Sequence, residues 1–317
     1  MKVVLTGSIA NDYLMTFPGK FRDYILVDQL DRISLSFLVD SLEVRRGGIA
    51  ANIAYTLALL KECPQVMAAV GSDFEDYGTF LKSVGVDLSA VRTFPDVLTA
   101  SFFVNTDETN AQIASFFTGA MSRARLLSFK DLPEQPDLAM ISANDPDGMQ
   151  RYVRECREMG IPFFYDPSQQ TVRSEAEPLR EGLEACSALF VNDYEFSLIQ
   201  EKTGVSKDKI IDGCDFAVVT RGEHGADIYT ASGDIHIPAV EPDQILDPTG
   251  VGDAFRGGFL KGYLNNLGLE RCGQLGSVAA AYCLENKGTQ GHRFEVKDFV
   301  ARFRRQFDDG GELDSWA

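Results

Sequence analysis

Four consecutive residues in the last quarter of the chain have the types and spacing to do chemistry together: Gly250, Val251, Gly252 and Asp253. An apolar run that begins with Ala254 and Phe255 follows them, so we predict a tight turn that leads into a helix. The N–H groups of a helix's first turn have no partners within the helix and lie at the positive end of its dipole. The sequence therefore predicts an anion-binding turn.

Asp253 is an unusual neighbour for an anion because its carboxylate would repel a phosphate group. The position makes sense if the carboxylate takes a proton from an attacking hydroxyl while the amides of Gly250–Asp253 hold a phosphoryl group in transfer. The alternative interpretation is an ordinary glycine turn in which the aspartate caps the helix.

Composition narrows the classes of partner. The chain has 317 residues, 44% of them hydrophobic, and a formal net charge of −17, which fits one large α/β domain over residues 1–317. A negative field of this size disfavours nucleic acid and anionic lipid. No apolar run has the length of a membrane span, and Met1–Gly7 is typical of a buried strand rather than a signal peptide. The six cysteines and three histidines show no paired or metal-binding spacing. We therefore expect a cytoplasmic protein with free thiols and no zinc site.

Short β-rich apolar runs alternate with stretches of helical periodicity, which predicts a mostly parallel sheet covered by helices on both faces. The predicted strands are Val3–Ile9, Val66–Val70, Leu138–Ser142, Pro162–Asp166, Ala188–Asn192 and Phe216–Thr220. Ligands of such sheets bind beyond the carboxyl ends of the strands. The polar residues at those ends are therefore candidates for a site: Asn11, Asp12, Asn144, Asp145, Asp166, Asn192 and Thr220.

Two segments interrupt the alternation, at about 12–46 and about 94–119. The first contains the β-rich stretches Tyr24–Asp28 and Ser34–Val44, and the second contains Leu98–Asn105 and Gln112–Thr118 around a polar turn, which is typical of a hairpin. We predict that the two segments pair as a small sheet over the site. Such a lid excludes water, which would otherwise hydrolyse a phosphoryl donor.

Several motifs in order, from about Gly7 to about His292, resemble the ribokinase (phosphofructokinase-B) family of ATP-dependent kinases. They are Gly47–Asn52, Val70–Asp73 with Gly78, Gly85–Asp87, Asn192–Glu195, Thr220–Gly222 with Gly225, and Asp247–Asp253. Within the family, Gly7–Asp12, Met15–Phe17, Phe21–Asp23, Phe116–Met121 and Gly288–His292 are most similar to microbial adenosine and nucleoside kinases. The resemblance implies a ribokinase-like three-layer sandwich with a small β-sheet lid. Pro248 and Val251 differ from the family's commonest residues, but the glycines and Asp253 are present.

The resemblance also implies roles for individual residues. Asp253 would be the base, and Gly250, Val251 and Gly252 would form the anion hole. The sugar or nucleoside would be bound by Asp12, Gly48, Asn52, Phe116 and Met121. ATP would be bound by Asn192, Glu195, Thr220, Gly222, Gly225, Asn286 and Gly288, with Asn192 and Glu195 acting on Mg²⁺ through water. A monovalent cation such as K⁺ would bind near Asp247 and residues 283–289.

Some of these residues have equally ordinary interpretations. Asp12 could form an Asx turn, a buried Asn52 could simply satisfy the backbone, and Asn286 with Gly288 could mark a helix end. Because neighbouring residues of a strand point to opposite faces, we expect only one of Phe116 and Phe117 to contact a ligand.

The predicted activity is that of an adenosine kinase-like, ATP-dependent nucleoside kinase that phosphorylates the ribose 5′-hydroxyl, with a homodimer through the lid whose sheet edges would otherwise be free. The alternative within the family is a sugar kinase of the ribokinase or fructokinase type. A dinucleotide-dependent oxidoreductase is disfavoured because no Gly-x-Gly-x-x-Gly follows the first predicted strand. A nucleotide sensor without activity is disfavoured because Gly250, Gly252 and Asp253 are all present.

Overall fold

An eight-stranded sheet forms the centre of the molecule, and the computed structural model describes residues 1–25, 31–32 and 34–316. Along the sheet the strands lie in the order β14-β13-β12-β11-β10-β9-β1-β4. The six strands from β12 to β4 are parallel, and β13 and β14 add an antiparallel edge. The bounds are β1 Val3–Thr6, β4 Gln65–Met67, β9 Leu138–Ser142, β10 Phe163–Asp166, β11 Ala188–Asn192, β12 Phe216–Thr220, β13 Ala226–Thr230 and β14 Gly233–Ile237.

The two segments that interrupt the alternation pair in a second sheet of four strands, which we call the lid, in the order β3-β2-β7-β8. Its strands are β2 Ala10–Thr16, β3 Ser41–Gly47, β7 Ala100–Thr106 and β8 Gln112–Phe117. The last two form the predicted hairpin, with antiparallel pairs from Ser101–Phe117 to Thr106–Gln112. A further pair of short strands, β5 Ala69–Val70 and β6 Arg92–Thr93, forms a separate two-stranded sheet.

Helices cover the central sheet on both faces, as the sequence predicts. Their bounds are α1 Ile49–Leu59, α2 Glu75–Val84, α3 Pro146–Met159, α4 Gln170–Arg173, α5 Ala176–Ala185, α6 Asp193–Thr203, α7 Lys207–Gly213, α8 Val251–Leu264, α9 Leu269–Leu284 and α10 Val296–Gln306. None of these helices, within the ranges described, is long and apolar enough to cross a membrane.

Alternate residues of the strands feed two separate hydrophobic cores, because successive side chains of a strand point to opposite faces. Leu5 and Phe164 belong to the core under α1 and α8, and Val4 and Tyr165 to the core under α3 and α6. All six cysteines lie in the described part of the chain and are free thiols. The carboxyl ends of the central strands form the edge of the sheet that carries the candidate site.

The structure corrects the sequence prediction at the start of the chain. The predicted strand Val3–Ile9 ends at Thr6, and the chain enters the lid as β2 at Ala10. Ser8 anchors this passage, since its N–H donates to the Ala143 carbonyl at 3.1 Å and its Oγ accepts from the Ile49 N–H at 3.1 Å. Asp12 therefore lies within a lid strand and does not follow a strand of the central sheet.

Two other predicted segments differ in detail. Val66–Val70 splits between β4 and β5, which belong to different sheets. In the first lid segment, Tyr24 and Ile25 are outside any strand, and the rest of Tyr24–Asp28 lies outside the described residues. The strand predicted within Ser34–Val44 is β3, which begins at Ser41 and runs to Gly47.

Candidate active site

The turn before α8 has the geometry that its glycines predict. Gly250 precedes the helix in a left-handed conformation with φ of 78°, which glycine adopts without strain. A Cβ at this position would lie 2.7 Å from Thr289 Cγ2. The first bond of the helix runs from the Ala254 N–H to the Gly250 carbonyl at 2.9 Å. The amides of Val251, Gly252 and Asp253 thus belong to the unpaired first turn and are available to an anion.

Asp253 sits in the first turn of α8 and is partly buried. Its Oδ2 accepts a hydrogen bond from Asn52 Nδ2 on α1 at 2.8 Å. The surrounding protein desolvates the carboxyl and raises its pKa to about 7, although the positive charge of Arg256 and the Asn52 bond both oppose this shift. A carboxyl that ionises near neutral pH is suited to act as a general base.

A buried ion pair lies directly behind this turn. Arg256 follows Asp253 by one helical turn, and its side chain points back toward the N-terminus of α8. Its guanidinium donates to the Gly252 carbonyl at 2.9 Å and to Asp166 Oδ1, at the end of β10, at 2.7 Å. Both side chains are almost inaccessible to solvent. Sequence analysis noted Asp166 only as a strand end and missed Arg256, whose one signal is a cation inside an apolar run.

The lid contacts the loop before α8 through a second ion pair. Arg45 on β3 lies 3.0 Å from Asp247 Oδ2, which also accepts the Gly288 N–H at 2.9 Å. Asp12 is directly opposite Arg45 in the β2–β3 register. Burial raises the pKa of Asp12 to about 6, with Arg45 lowering it and Asp247 raising it. At the position where the sequence predicts a monovalent cation, a guanidinium of the chain itself thus already faces the carboxylate.

Two of the residues predicted to bind the nucleotide lie at the same edge of the central sheet. Asn192 at the end of β11 is the direct neighbour of Thr220 at the end of β12. Asn192 and Glu195 form a reciprocal cap of α6, because Asn192 Oδ1 accepts the Glu195 N–H at 2.7 Å and Glu195 Oε2 accepts the Asn192 N–H at 2.9 Å. Their spacing, three residues apart at a helix start, is a recognisable signal for this capping role. Burial raises the pKa of Glu195.

Some of the predicted glycines, and residues in the loop after α9, also have close contacts within the protein itself. A Cβ on Gly48 would lie 2.6 Å from the Ser8 carbonyl, and one on Gly225 would lie 2.0 Å from the Ile237 carbonyl, whereas at Gly222 it would meet open space. Asn286 and Gly288 are in the loop after α9, where Asn286 Nδ2 donates to the Tyr282 carbonyl at 2.8 Å. Close backbone approach therefore accounts for two of these glycines without any ligand.

The lid distinguishes Phe116 from its neighbours. Phe116 pairs with Phe102, and Phe102 pairs with Asp12, so these three side chains share one face of the lid. Phe117 is on the opposite face. Met121 is buried with Ala10 and Ala100 at the base of the lid, which gives it a packing role.

A groove of about 470 Å³ lies where the lid meets the body of the molecule. Among its lining residues are Tyr77 of α2, Arg45 of β3 and Gln290 of the loop after α9. Neither Asp12 nor Asp253 is among those lining residues in the described part of the chain. Thr289 lines the groove and also lies beside Gly250, so the groove adjoins the turn before α8.

The family model for pfkB family carbohydrate kinases matches residues 15–294. The chain belongs to this family. It is 32% identical over 296 residues to a nucleoside kinase of Methanothermobacter thermautotrophicus, covering 90% of this chain and 93% of that protein. The kinase is thus a phosphotransferase that acts on a nucleoside or a sugar, and it has the family's ribokinase-like α/β fold.

Solved structures of a Burkholderia thailandensis nucleoside kinase are similar over nearly the whole chain. The inosine complex has a TM-score of 0.87 and 34% identity, covering 96% of this chain and 98% of that one. The structure in complex with ADP-inosine has a TM-score of 0.84 and 37% identity, covering 96% of both chains.

We predict that Arg256→Gln destabilises the kinase by about 3–5 kcal/mol, because it leaves Asp166 buried without a counter-charge. Urea unfolding measures the change. Adding Asp166→Asn to the same chain should recover much of the loss. Arg123→Gln is the matched control, since it breaks an exposed pair with Asp96 and should change stability very little because solvent screens exposed charges. A loss in Arg256→Gln no larger than in this control would contradict the assigned role of the buried pair.

Proposed function

We propose that the chain is an ATP-dependent nucleoside kinase of one domain, residues 1–317, with adenosine as the preferred acceptor. One observation carries the choice of a nucleoside over a free sugar. Asp12, Phe102 and Phe116 occupy neighbouring positions on three adjacent lid strands and point to the same face. Strands are spaced by about 4.8 Å, so the two aromatic rings begin one and two strand spacings from Asp12. A ribose diol at Asp12 then leaves its base against aromatic side chains.

The residues of the site support a direct transfer. Asp12 accepts hydrogen bonds from the ribose 2′- and 3′-hydroxyls, with Gly48 and Asn52 beside the sugar. Asp253 accepts the proton of the 5′-hydroxyl, whose oxygen attacks the γ-phosphorus of ATP. The amides of Val251, Gly252 and Asp253, with the Gly250 turn, hold the phosphoryl oxygens as charge shifts toward ADP. The products are a nucleoside 5′-monophosphate and ADP.

The nucleotide is assigned to the edge formed by Asn192, Glu195, Thr220, Gly222 and Gly225, with Asn286 and Gly288 toward the adenine. The Burkholderia structures support this ligand pair, since they are described as complexes with inosine and with ADP-inosine. We also propose that K⁺ binds near Asp247, where Arg45 supplies positive charge as well.

Magnesium fits the acidic groups at this edge. Asp166 Oδ2 is buried and has no hydrogen-bond partner among the described residues, and the charge of Asp166 contributes to the raised pKa of Glu195. Oxygen atoms of this kind suit Mg²⁺ and its bound waters. Glu195, with Asn192 beside it, would hold the hydrated ion, which would neutralise charge on the ATP phosphates.

A panel of acceptors with ATP tests the substrate class. We predict phosphorylation of adenosine and inosine with much higher kcat/KM than of ribose or fructose. Phe116→Ala should raise KM for the nucleoside by about 10-fold because it removes an aromatic contact. Phe117→Ala is the matched control on the opposite face of the same strand, and its KM should be unchanged. Phosphorylation of ribose but not of adenosine or inosine would defeat the proposal.

Asp253→Asn tests the proposed base. We predict that kcat falls by about 10²–10⁴-fold. In the wild type, kcat/KM should fall below about pH 7 as the Asp253 carboxyl is protonated. The pKa of Asp253 in the folded protein, about 7, lies above the ordinary value of 3.8. The fold therefore loses stability as the pH rises from about 3.8 to about 7, and the ionised carboxylate destabilises it fully above pH 7. The neutral Asn variant should therefore be no less stable at pH 8 by urea unfolding, which excludes misfolding as the cause. Unchanged turnover would contradict the mechanism.

We also propose that two copies of the chain pair through the other face of the lid. Leu42, Val44, Phe103, Ile113 and Phe117 all point to that face and are exposed. Tyr13 stacks on Phe103 there with ring centroids 4.7 Å apart. A contiguous apolar face of this kind is typical of an interaction surface, and a second copy would cover it symmetrically.

Sedimentation velocity at micromolar concentration tests the dimer. We predict a dimer for the wild type and a monomer for Phe103→Asp, since a charge at the centre of the face would be buried without a partner. Leu126→Asp places the same charge at an exposed leucine outside the lid strands and should remain dimeric. A monomeric wild type would refute pairing through the lid.

A further inference from the structure

A continuous chain of hydrogen bonds leads from Asp253 to the lid. Asn52 Nδ2 donates to Asp253 Oδ2, and Asn52 Oδ1 accepts from Gln290 Nε2, each at 2.8 Å. The same Gln290 Nε2 donates to the Tyr77 hydroxyl. That hydroxyl donates in turn to the Gly47 carbonyl at 2.8 Å. The five residues come from α8, α1, the loop after α9, α2 and the last position of β3.

Each hydrogen bond in this series has a fixed donor and a fixed acceptor. A main-chain carbonyl only accepts, so the Tyr77 hydroxyl gives its proton to Gly47 and must accept from Gln290. The Gln290 amide nitrogen therefore faces Tyr77 and Asn52, and Asn52 must turn its oxygen toward Gln290. Only then does the Asn52 nitrogen face Asp253. The reverse orientation of Asn52 would place its Oδ1 against the carboxylate, where two acceptors repel.

Because the groups are buried, they cannot easily change these hydrogen-bond directions. Asn52, Tyr77 and Gln290 are 4%, 3% and 8% exposed, so water cannot readily replace a lost partner, and an unsatisfied buried group is costly. Gly47 is also the residue at which β3 leaves the lid for α1. An ideal Cβ on Gly47 would lie 2.4 Å from Asp12 Oδ2. The Gly47 carbonyl, which is the last acceptor in this series of hydrogen bonds, thus belongs to the part of the lid that holds Asp12.

We propose that Tyr77 and Gln290 are positioning residues, which lock the Asn52 amide so that its N–H faces Asp253 and which tie this orientation to the lid junction at Gly47. The inference rests on the proposed role of Asp253 as the base. It gives a function to Tyr77 and Gln290, neither of which contacts Asp253 itself.

Other charged or titratable groups also act on the Asp253 carboxyl and must be held constant in any test. They are Arg256 on α8, Asp166 on β10, Glu195 on α6 and Cys283 on α9. Arg256 lowers the pKa of Asp253, whereas Asp166 and Glu195 raise it. Because Tyr77 and Gln290 are on other elements, their substitution changes the Asn52 bond without removing any of these charges.

Tyr77→Phe removes only the hydroxyl and is the first test. We predict that kcat falls by about 3- to 10-fold, the range for one neutral hydrogen bond, while KM for ATP changes less than twofold. The acid limb of kcat/KM should move to higher pH, because a weaker Asn52 bond stabilises the ionised carboxylate less. Tyr152→Phe is the matched control: Tyr152 is also buried and donates to a main-chain carbonyl, that of Ala124, but it lies on α3. It should lose similar stability in urea with kcat and pH profile unchanged.

Gln290→Met is the sharper test because it roughly keeps the size of the side chain, removes the donor to both Asn52 and Tyr77, and adds no charge. Asn52 Oδ1 then loses its buried donor, so the amide is no longer held with its nitrogen toward Asp253. We predict a fall in kcat of about 10- to 100-fold, the range for an unsatisfied buried polar group, and a larger shift of the acid limb than in Tyr77→Phe.

Two outcomes separate this inference from the proposed function. If Asp253→Asn is inactive but Tyr77→Phe and Gln290→Met retain the wild-type kcat and pH profile, the positioning role is wrong and the base role stands. If Asp253→Asn retains full turnover, the base role itself fails and the inference falls with it. A loss of kcat in Tyr152→Phe equal to that in Tyr77→Phe would likewise overturn the inference, since the effect would then be general destabilisation.

Discussion

The proposed site depends on keeping the Asp253 carboxylate beside a helix terminus that, in the proposed function, also holds a phosphoryl group. Two negative groups so close together repel, and burial further disfavours the ionised acid. Two contacts oppose these effects in the kinase: the Asn52 N–H on Asp253 and the Arg256 guanidinium behind Gly252. The result is a carboxyl with a pKa of about 7, which can be ionised before transfer and protonated after it. The elements packed around α8 hold in place the residues that make these two contacts.

The lid is part of this support as well as a cover. Its strand β3 is held to the loop before α8 by the Arg45–Asp247 pair, and the carbonyl of its last residue, Gly47, accepts a hydrogen bond from the Tyr77 hydroxyl. The two faces of the lid differ in chemistry. One presents Asp12 with Phe102 and Phe116, and the other presents an exposed apolar surface. The proposed ligand and the proposed second copy of the chain would therefore use opposite faces of one small sheet.

The sequence predicted the parts of the molecule that local pattern determines. The strands Leu138–Ser142, Ala188–Asn192 and Phe216–Thr220 have the predicted bounds, and the glycine turn before α8 is present. The lid hairpin was predicted from its alternation and polar turn. These features depend on residues close together in the chain, where periodicity and turn chemistry carry the information.

The contacts that tune the site could not be predicted in the same way. The Arg256–Asp166 pair joins residues 90 positions apart, and the bond from Gln290 to Asn52 spans 238 positions. Nothing in the local pattern of either residue indicates its partner. The prediction that Asp12 follows the first central strand was wrong because Ser8 turns the chain into the lid, again through distant contacts at Ala143 and Ile49. The Asn192–Glu195 cap is the exception, since its spacing alone could have indicated it.

The most direct measurement of the central claim is a crystal structure of the kinase with adenosine and a non-hydrolysable ATP analogue. The account predicts the 5′-oxygen within hydrogen-bond distance of an Asp253 carboxylate oxygen, and the γ-phosphoryl group on the amides of Val251, Gly252 and Asp253. It also predicts the ribose diol on Asp12. A nucleoside whose 5′-hydroxyl lies away from Asp253, with the phosphoryl group bound elsewhere, would contradict the account.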